Sequence, residues 1–188
     1  MELTVVVCHF KEDLSWLSNV KHKVIVYNKN PNEVDLHEIN LPNVGFDTIV
    51  YLKYIIDNYN NLPDFVCFSQ DNPFFHCENF LDKVNEFDFT KKFQPLGKTY
   101  IRDTIELDRT IEYANNNEIT YELPIKFINS AQCIVSKELI LKRTKDSYQK
   151  IKDSIPLVVI SNINYLIEYL WPTILGFNDE LILSLNNC

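Results

Sequence analysis

The stretch FVCFSQDNPFFH, residues 65–76, begins as an apolar run and then turns polar. Phe65 to Phe68 have the continuous apolar character of a strand that is buried on both faces of a sheet. Ser69 to Asn72 place a hydroxyl, two amides and one carboxylate directly after that run. Polar residues at the end of a buried strand are typical of an ordinary turn, and they are also typical of a ligand site.

Two more segments have the same strand character. Leu3 to Phe10 (LTVVVCHF) is continuous and rich in β-branched residues, and Lys23 to Tyr27 (KVIVY) ends in a cluster of turn residues at 28–32. Phe46 to Tyr59 changes to a helical period and is stopped by residues 60–63. Because strands alternate with helices, we expect a single-domain α/β fold of the Rossmann type, with a mainly parallel sheet flanked by helices.

The second half of the chain predicts more helix than strand. Phe127 to Val135 is expected to form one strand, and residues 88–121 are expected to form a loop with irregular helix. The last helix is expected from Ser161 to about Leu175, with Gly176 ending it. Its apolar residues have the spacing of a core-facing stripe, namely Ile163, Leu166, Ile167, Leu170 and Ile174. The other expected helices cover Glu78–Phe87, Lys137–Arg143 and Lys145–Ser154.

The composition is that of a globular protein. The 188 residues fit one domain, and a hydrophobic fraction of 46% is ample for a packed core. Acidic residues outnumber basic residues 26 to 18, and the resulting net charge of −8 disfavours a nucleic-acid partner. No apolar run reaches the length of a membrane span. The five cysteines are scattered without CxxC spacing, so we expect a reduced, cytoplasmic protein without a disulfide framework or a zinc site.

The carboxyl ends of the predicted parallel strands are the expected place for a ligand. His9 and Phe10 end the first strand, Asn28 follows the second, and Gln70 and Asp71 follow the third. Each of these ends could equally be a simple polar turn. The phosphate-binding patterns GxxxxGK[ST] and GxGxxG do not occur, so a phosphate ligand would need other contacts.

Gly45, one of three glycines, lies in LPNVGFDT at the entry to the predicted helix. A glycine at this place lets the backbone approach a ligand, and the helix N-terminus offers free N–H groups to an anion. Gly45 can also be a plain turn residue. Asp47 can favour the helix dipole or reach a ribose hydroxyl. Both pairs of alternatives stay open at the level of sequence.

Three segments resemble, in this order, a family of uncharacterised glycosyltransferase-like domains. They are LPNVGFDTIVYLKYIIDNYNNLPDFVCFSQDNPFFH (41–76), SAQCIVSKELILKR (130–143) and YLIEYLWPTILG (165–176), and the resemblance extends over nearly the whole chain. It implies a GT-A-type fold with a nucleotide-sugar-binding half, about 1–77, and an acceptor-facing half, about 78–188. The activity implied is transfer of a sugar from a nucleoside-diphosphate-sugar donor to a hydroxyl of a glycan or glycoconjugate.

The resemblance also implies a metal site. In GT-A enzymes the strand in the place of Phe65–Phe68 ends in a DxD-like acidic motif, which holds Mn²⁺ or Mg²⁺ on the donor diphosphate, and Asp71 is the carboxylate at that position. This sequence has one acid where the motif has two, and it has Phe46 where the family usually has arginine. The basic residues that could replace that arginine are Lys11, Lys29, Arg102 and Arg109. The expected donor contacts are His9, Phe10, Asn28, Asn43, Gly45, Asp47 and Gln70.

Glu168 is the second predicted catalytic residue, beside Asp71. It lies off the apolar stripe of the last helix, and the resemblance aligns it with the glutamate of an LEYLW segment. In GT-A enzymes an acid from this half often deprotonates the acceptor hydroxyl. Glu168 could equally cap a neighbouring loop. The alternative to an enzyme is a non-catalytic nucleotide-sugar or glycan-binding module, which the incomplete acidic motif favours.

Overall fold

The computed structural model describes residues 1–30, 32, 38–102, 107–156, 158 and 162–177, without the side chains at 102 and 107. The strands are β1 (Leu3–His9), β2 (Lys23–Asn28), β3 (Ile39–Asn40), β4 (Phe65–Gln70), β5 (Phe93–Pro95), β6 (Thr99–Arg102), β7 (Ile125–Ile128) and β8 (Cys133–Ser136). The helices are α1 (Phe46–Asn58), α2 (Phe80–Asn85), α3 (Leu107–Asn116), α4 (Lys137–Ile140), α5 (Lys145–Asp153) and α6 (Asn162–Ile174).

A mainly parallel sheet forms the centre of the protein, as the alternation of strands and helices predicts. Its order is β3-β2-β1-β4-β8-β5, and β1 pairs in parallel with both β2 and β4. β8 runs antiparallel to both of its neighbours, β4 and β5. A separate two-stranded antiparallel sheet joins β6 to β7. The result is a mixed α/β fold with helices against the sheet. Strands β2 and β3 lie on one side of β1 and β4 lies on the other, so the strand order changes direction between β1 and β4.

Alternate residues of the central strands pack into two apolar layers. Val6 and Phe68 belong to the layer that contains residues of α1, α5 and α6, whereas Val5 and Cys67 belong to the layer that contains Trp16 and residues of α2. All four strand residues are fully buried, which explains why their strands are continuously apolar in sequence.

The expected single strand over Phe127–Val135 is wrong. The chain forms β7 and β8 instead, separated by a tight turn at Asn129–Ala131. Ser130 has φ 72° and Ala131 has φ 56°, and this left-handed conformation separates β7 from β8 without a glycine or proline to mark it. Residues 88–121 are also more regular than expected, because they contain β5, β6 and α3.

Helix α6 agrees closely with its sequence pattern. It ends at Ile174, and Gly176 follows in the left-handed conformation, with φ 76°. Ile167, Leu170 and Ile174 of the predicted stripe are fully buried. None of the helices in the described ranges is both long and apolar enough to cross a bilayer.

The cysteines follow the sequence expectation only in part. Cys8, Cys67 and Cys133 are buried free thiols, as expected. Cys77 is disulfide-bonded, so the expectation of a wholly reduced chain is wrong for this residue. Cys188 lies outside the described residues.

Candidate functional site

Three of the predicted ligand contacts lie side by side at the carboxyl edge of the sheet. His9 pairs in register with Asn28, and Cys8 pairs with Gln70 on the opposite side of β1. The ends of β1, β2 and β4 therefore meet at the point where the strand order changes direction. In open α/β sheets this is where a crevice forms for a ligand.

A buried lysine, Lys29, stabilises the turn that leads into α1. Gly45 and Phe46 both adopt the left-handed conformation, with φ 66° and 47°. The Nζ of Lys29 donates to the carbonyl oxygens of Val44 and Phe46 at 2.7 and 2.6 Å. Lys29 is only 2% exposed, and burial lowers its pKa. This ammonium group therefore fixes the start of α1 instead of facing a ligand.

Gly45 itself is needed for packing. A Cβ at this position would lie 3.0 Å from the Cβ of Ile49 and 3.1 Å from Cγ2 of Ile155. The close approach that Gly45 permits is to protein atoms, and the positive φ adds a second reason for glycine. These contacts favour the turn alternative over a direct donor contact.

Asp47 and Gln70 connect α1 to β4. The amide of Gln70 donates a short hydrogen bond to Oδ2 of Asp47. Burial raises the pKa of Asp47, although the hydrogen bonds from Gln70 and Cys8 and the charge of Lys29 oppose that rise. The backbone N–H of Gln70 donates to the fully buried side chain of Gln132 at 3.0 Å, which fixes the end of β4.

Asp71 binds backbone N–H groups with both of its carboxylate oxygens. Oδ2 accepts hydrogen bonds from the N–H groups of Phe10, Lys11 and Glu12 at 2.8, 3.2 and 3.2 Å, and Oδ1 accepts from Asn72 at 3.0 Å. Asp71 thus ties the end of β4 to the loop after β1.

A cation at Oδ2 of Asp71 would have to displace three N–H donors, whereas Oδ1 accepts a single hydrogen bond, from Asn72. In the described part of the chain no group of three or more His, Cys, Asp or Glu side chains is placed to hold a metal ion. The predicted metal role of Asp71 stays a prediction, and the hydrogen bonds of this carboxylate favour the strand-end role.

The other strand-end residues differ in their partners, and Nδ1 of His9 is buried without a hydrogen bond to any described residue. Nδ1 of His9 lies 3.7 Å from Oε2 of Glu38, and His9 is 8% exposed. Oδ1 of Asn28 accepts from the backbone N–H of Asn30 at 2.7 Å, which makes a turn of the kind that asparagine favours. Asn43 lies half-buried in the loop before α1.

The basic residues that could replace the missing arginine are spread out. The Nζ of Lys11 lies 4.8 Å from the centre of the Phe10 ring, so it remains near the predicted donor edge. Lys29 is committed to the turn before α1. Arg109 is exposed on α3, and the side chain of Arg102 lies outside the described residues.

A cleft of about 180 Å³ opens beside the Asp47–Gln70 pair. It is lined by Phe46, Asp47, Thr48, Gln70, Ser130, Ala131, Asn164, Tyr165 and Glu168, which define the polar cleft. The rings of Phe46 and Tyr165 meet at 5.9 Å between centroids. None of the described lining residues is basic. The polar cleft therefore offers carboxylate, amide and hydroxyl groups to a neutral, hydroxyl-rich ligand more readily than to an anion.

A second cleft, of about 310 Å³, shares Tyr165 and Glu168 with the first. Its lining consists of Tyr100, Phe127, Asn129, Tyr165, Glu168 and Tyr169, which define the aromatic cleft. Tyr100 and Phe127 stack at 5.5 Å, and Phe127 meets Tyr169 edge to face at 4.8 Å. Tyr100 and Tyr165 remain 43% and 47% exposed, so large aromatic surfaces face solvent next to a carboxylate.

Glu168 lies where the two clefts meet. Its Oε1 accepts a hydrogen bond from the backbone N–H of Ser130 at 2.9 Å. The left-handed turn at Ser130 and Ala131 is what directs this N–H toward α6. The turn thereby fixes one oxygen of the carboxylate at the junction of the polar and aromatic clefts.

Comparison with known proteins identifies the family. A family model described as "Protein of unknown function (DUF3431)" matches residues 5–103, which is more than half of the chain. The chain belongs to the DUF3431 family. The matched residues run from β1 to β6, so they include Asp47, Gln70 and Asp71 but neither Ser130 nor Glu168.

No curated protein sequence matches this DUF3431 chain significantly. Among solved structures, the bifunctional IspDF from Campylobacter jejuni is similar, with 16% identity and a TM-score of 0.40. The match covers 89% of this chain and 47% of that chain, so the present chain spans about half the length of its solved relative. A likeness of this size carries no argument about activity.

The expected membership in a glycosyltransferase-like family is wrong. The family model that matches is DUF3431, a family of unknown function, and not a glycosyltransferase family. The segments that carried the resemblance form α1, β4, β8 and α6, and their apolar residues pack the core. Patterns of this kind follow from helix and strand packing, which many unrelated α/β proteins share.

Two lining residues of the polar cleft in this DUF3431 protein, Asn164 and Ser130, were not among the predicted site residues. Asn164 lies three and seven positions before Ile167 and Trp171, which are fully buried on the core side of α6. A polar residue on that side was the available signal, because a buried polar residue is more informative than an exposed apolar one. Ser130 has no comparable signal, because its left-handed conformation is not marked by its residue type.

A third cleft, of about 220 Å³, lies beyond the end of α6 and contains none of the predicted site residues. Lys142 and Arg143 line it and donate to the carbonyl oxygens of Gly176 and Ile174 at 3.3 and 3.1 Å. These bonds satisfy carbonyls at the end of α6, so the two cations have a structural use in this chain.

Proposed function

We propose that the protein transfers a sugar from a nucleoside-diphosphate-sugar donor to a hydroxyl group of a glycan or glycoconjugate. The observation that carries this proposal is the position of Glu168, whose carboxylate lies at the junction of the polar cleft and the aromatic cleft. In this proposal the polar cleft holds the donor sugar, and the aromatic cleft holds the acceptor.

The chemistry of the polar cleft supports a sugar ligand. Asp47 and Glu168 accept hydrogen bonds from hydroxyl groups, and Gln70 can accept and donate. The cleft opens at the carboxyl edge of the sheet, where α/β folds bind nucleotides. We infer on this basis that the α/β fold is used in the manner of a GT-A enzyme, with the nucleotide toward the ends of β1 and β2.

The chemistry of the aromatic cleft supports a glycan acceptor. Tyr100 and Tyr165, the exposed rings of this cleft, carry apolar faces with hydroxyl groups at their rims. A sugar ring has an apolar face of C–H groups and a polar edge of hydroxyls, so it can pack on an aromatic ring and still reach Glu168. Binding sites of this kind combine aromatic surfaces with a few placed polar groups.

Glu168 acts as the general base in this proposal. The N–H of Ser130 orients the carboxylate, which takes the proton of the acceptor hydroxyl. The acceptor oxygen forms a bond to the anomeric carbon of the donor sugar. The bond between that carbon and the diphosphate breaks, and the nucleoside diphosphate leaves with the electron pair. The metal role of Asp71 remains a prediction, so no step is assigned to Mn²⁺ or Mg²⁺.

A glycan-binding or nucleotide-sugar-binding module without catalysis is the second candidate. The observation that favours it is the engagement of both Asp71 oxygens by backbone N–H groups, since this carboxylate was the expected metal ligand. Such a module would use the two clefts to bind but not to react.

Product release from a panel of UDP-, GDP- and TDP-sugars separates these candidates. With oligosaccharide acceptors present, the proposal predicts release of a nucleoside diphosphate and an acceptor heavier by one sugar in mass spectrometry. A rise in melting temperature with donors or glycans, but no product, would select the binding module. A ligand at a hundred times its dissociation constant stabilises by about 2.7 kcal/mol, which such a measurement detects. If the protein gives no product and is not stabilised by any donor or glycan, both candidates are contradicted.

A further inference from the structure

The side-chain amide of Asn164 is buried without a hydrogen-bond partner. Asn164 is only 2% exposed, and neither its Nδ2 nor its Oδ1 has a partner. It lies in the first turn of α6 and lines the polar cleft. Buried polar atoms in proteins are nearly always paired, so an amide with two unpaired atoms calls for an explanation.

Ser130 lines the same cleft and has an unpaired atom of its own. Its Oγ is buried without a partner, and its backbone has φ 72°. The residue therefore combines an unpaired hydroxyl with a left-handed conformation that serine disfavours. Strained and unsatisfied residues of this kind cluster at ligand sites, where the bound ligand supplies the missing contacts.

The unpaired atoms match two neighbouring hydroxyl groups. The Asn164 amide presents one donor group and one acceptor in a single plane, and the hydroxyl of Ser130 can donate or accept. Two hydroxyls on adjacent carbons of a sugar ring offer the complementary pair. Because the Asn164 amide and the Ser130 hydroxyl are both closed off from bulk solvent, rotamer changes of both residues have to accompany binding, and such changes are common at binding sites.

The charge of the polar cleft indicates which sugars can bind there. The polar cleft contains the carboxyl groups of Asp47 and Glu168, and none of its described lining residues is basic. A sugar that carries its own carboxylate would be placed close to both groups, and like charges at short range are unfavourable. The cleft thus selects against uronic and sialic acids.

We propose that Asn164 and Ser130 form the floor of a sugar subsite, which binds an uncharged sugar ring through two adjacent hydroxyl groups. This inference rests on the proposed function for the class of ligand, but it concerns binding and specificity and does not require turnover. Asn164 is the specificity-determining residue of the subsite, and Glu168 remains the reacting base.

The test compares stability and binding in the same variant. Asn164→Leu replaces the amide by an apolar group of similar size, so it removes two unpaired buried polar atoms. We expect a rise in melting temperature of about 2–4 °C, because relieving an unpaired buried group stabilises a protein of this size to that extent. We also expect roughly tenfold to hundredfold weaker sugar binding, since two hydrogen bonds to the ligand are lost.

Binding is measured by saturation-transfer NMR with the methyl glycosides of glucose, galactose, mannose and glucuronic acid. The expected result is binding of at least one neutral glycoside by the wild-type protein, with glucuronide at least tenfold weaker. Ser130→Ala should lower the affinity for the same glycoside several-fold. If Asn164→Leu does not fold, Asn164→Ala, which is smaller than the native side chain, serves for the binding measurement.

Three results would overturn the inference: no neutral glycoside binds, glucuronide binds equally well, or the Asn164 variant binds as the wild type does. The consequences for the proposed function are separate. Sugar transfer without neutral-glycoside binding would overturn the subsite and leave the transferase proposal intact. Neutral-glycoside binding that depends on Asn164, without any transfer, would support the subsite and overturn the transferase proposal.

Discussion

Replacing Asp71 by asparagine should destabilise the protein substantially. Asparagine keeps one oxygen, which can still accept from the N–H groups of Phe10, Lys11 and Glu12, but these bonds lose the assistance of a negative charge. A hydrogen bond to a charged group contributes about 1.5–3 kcal/mol and a neutral one about 1 kcal/mol. The new NH₂ group also faces the N–H of Asn72, which loses its acceptor. Since three of these four bonds are exposed, we expect a total cost of about 2–4 kcal/mol.

Urea denaturation measures this cost. With a slope of about 2 kcal/mol per molar, the midpoint should fall by roughly 1–2 M. Asp64→Asn is the matched control, because Asp64 makes a single exposed hydrogen bond to a distant backbone N–H, that of Glu2, at 2.9 Å. We expect the control to lose less than about 1 kcal/mol.

The reasoning about Asp71 would be refuted if Asp71→Asn and Asp64→Asn had the same midpoint. The same proteins also test the metal prediction. If Asp71 held Mn²⁺ on the donor, adding Mn²⁺ would raise the melting temperature of the wild-type protein but not of Asp71→Asn. The structural role predicts no response that depends on Asp71.

Three further substitutions test the turns and charges around the clefts. Gly45→Ala should cost about 1–3 kcal/mol in urea denaturation, because its Cβ would press on Ile49 and Ile155 at positive φ; an unchanged midpoint would show that the turn tolerates a side chain. Glu118→Gly should add about 0.5 kcal/mol, since relief of the positive φ of 56° after α3 outweighs the loss of the exposed ion pair with Lys150; a loss of stability would contradict this. Asp47→Asn should be more stable than the wild type at pH 7 and equal to it near pH 3. Burial raises the pKa of Asp47, so the protonated carboxyl that the fold favours is lost as the pH rises through that pKa, whereas asparagine stays neutral. A stability difference that is constant with pH would contradict the assignment.

Strands β1, β2 and β4 and the two long helices were predictable because each is specified by one local pattern. β1 and β4 are continuous apolar runs, and α1 and α6 keep a helical period over three or more turns. The boundary between β7 and β8 was not predictable, because the left-handed turn at Ser130 and Ala131 contains neither glycine nor proline. Its conformation is imposed by tertiary contacts, which include the hydrogen bond to Glu168.

The position of the candidate site was easier to predict from the sequence than the roles of its residues. The polar ends of β1, β2 and β4 identified the carboxyl edge of the sheet from sequence. The role of Asp71 was hidden, because its partners are backbone N–H groups that any residue type at 10–12 supplies. The polar cleft also joins Asp47 and Gln70 to Ser130 and Asn164, which are distant in sequence, and no local pattern connects such pairs.

Turnover by Glu168→Gln tests the central proposal most directly. Glutamine can still accept the hydrogen bond from Ser130, so the side chain keeps its position and loses its capacity to take a proton. With the best donor and acceptor of the panel, we predict a fall in kcat of about 10²–10⁴-fold, with donor and glycan affinities within a few-fold of wild type. Glu112→Gln, an exposed glutamate on α3, is the control and should turn over normally. Equal turnover by Glu168→Gln and Glu112→Gln would contradict the assignment of Glu168 as the base.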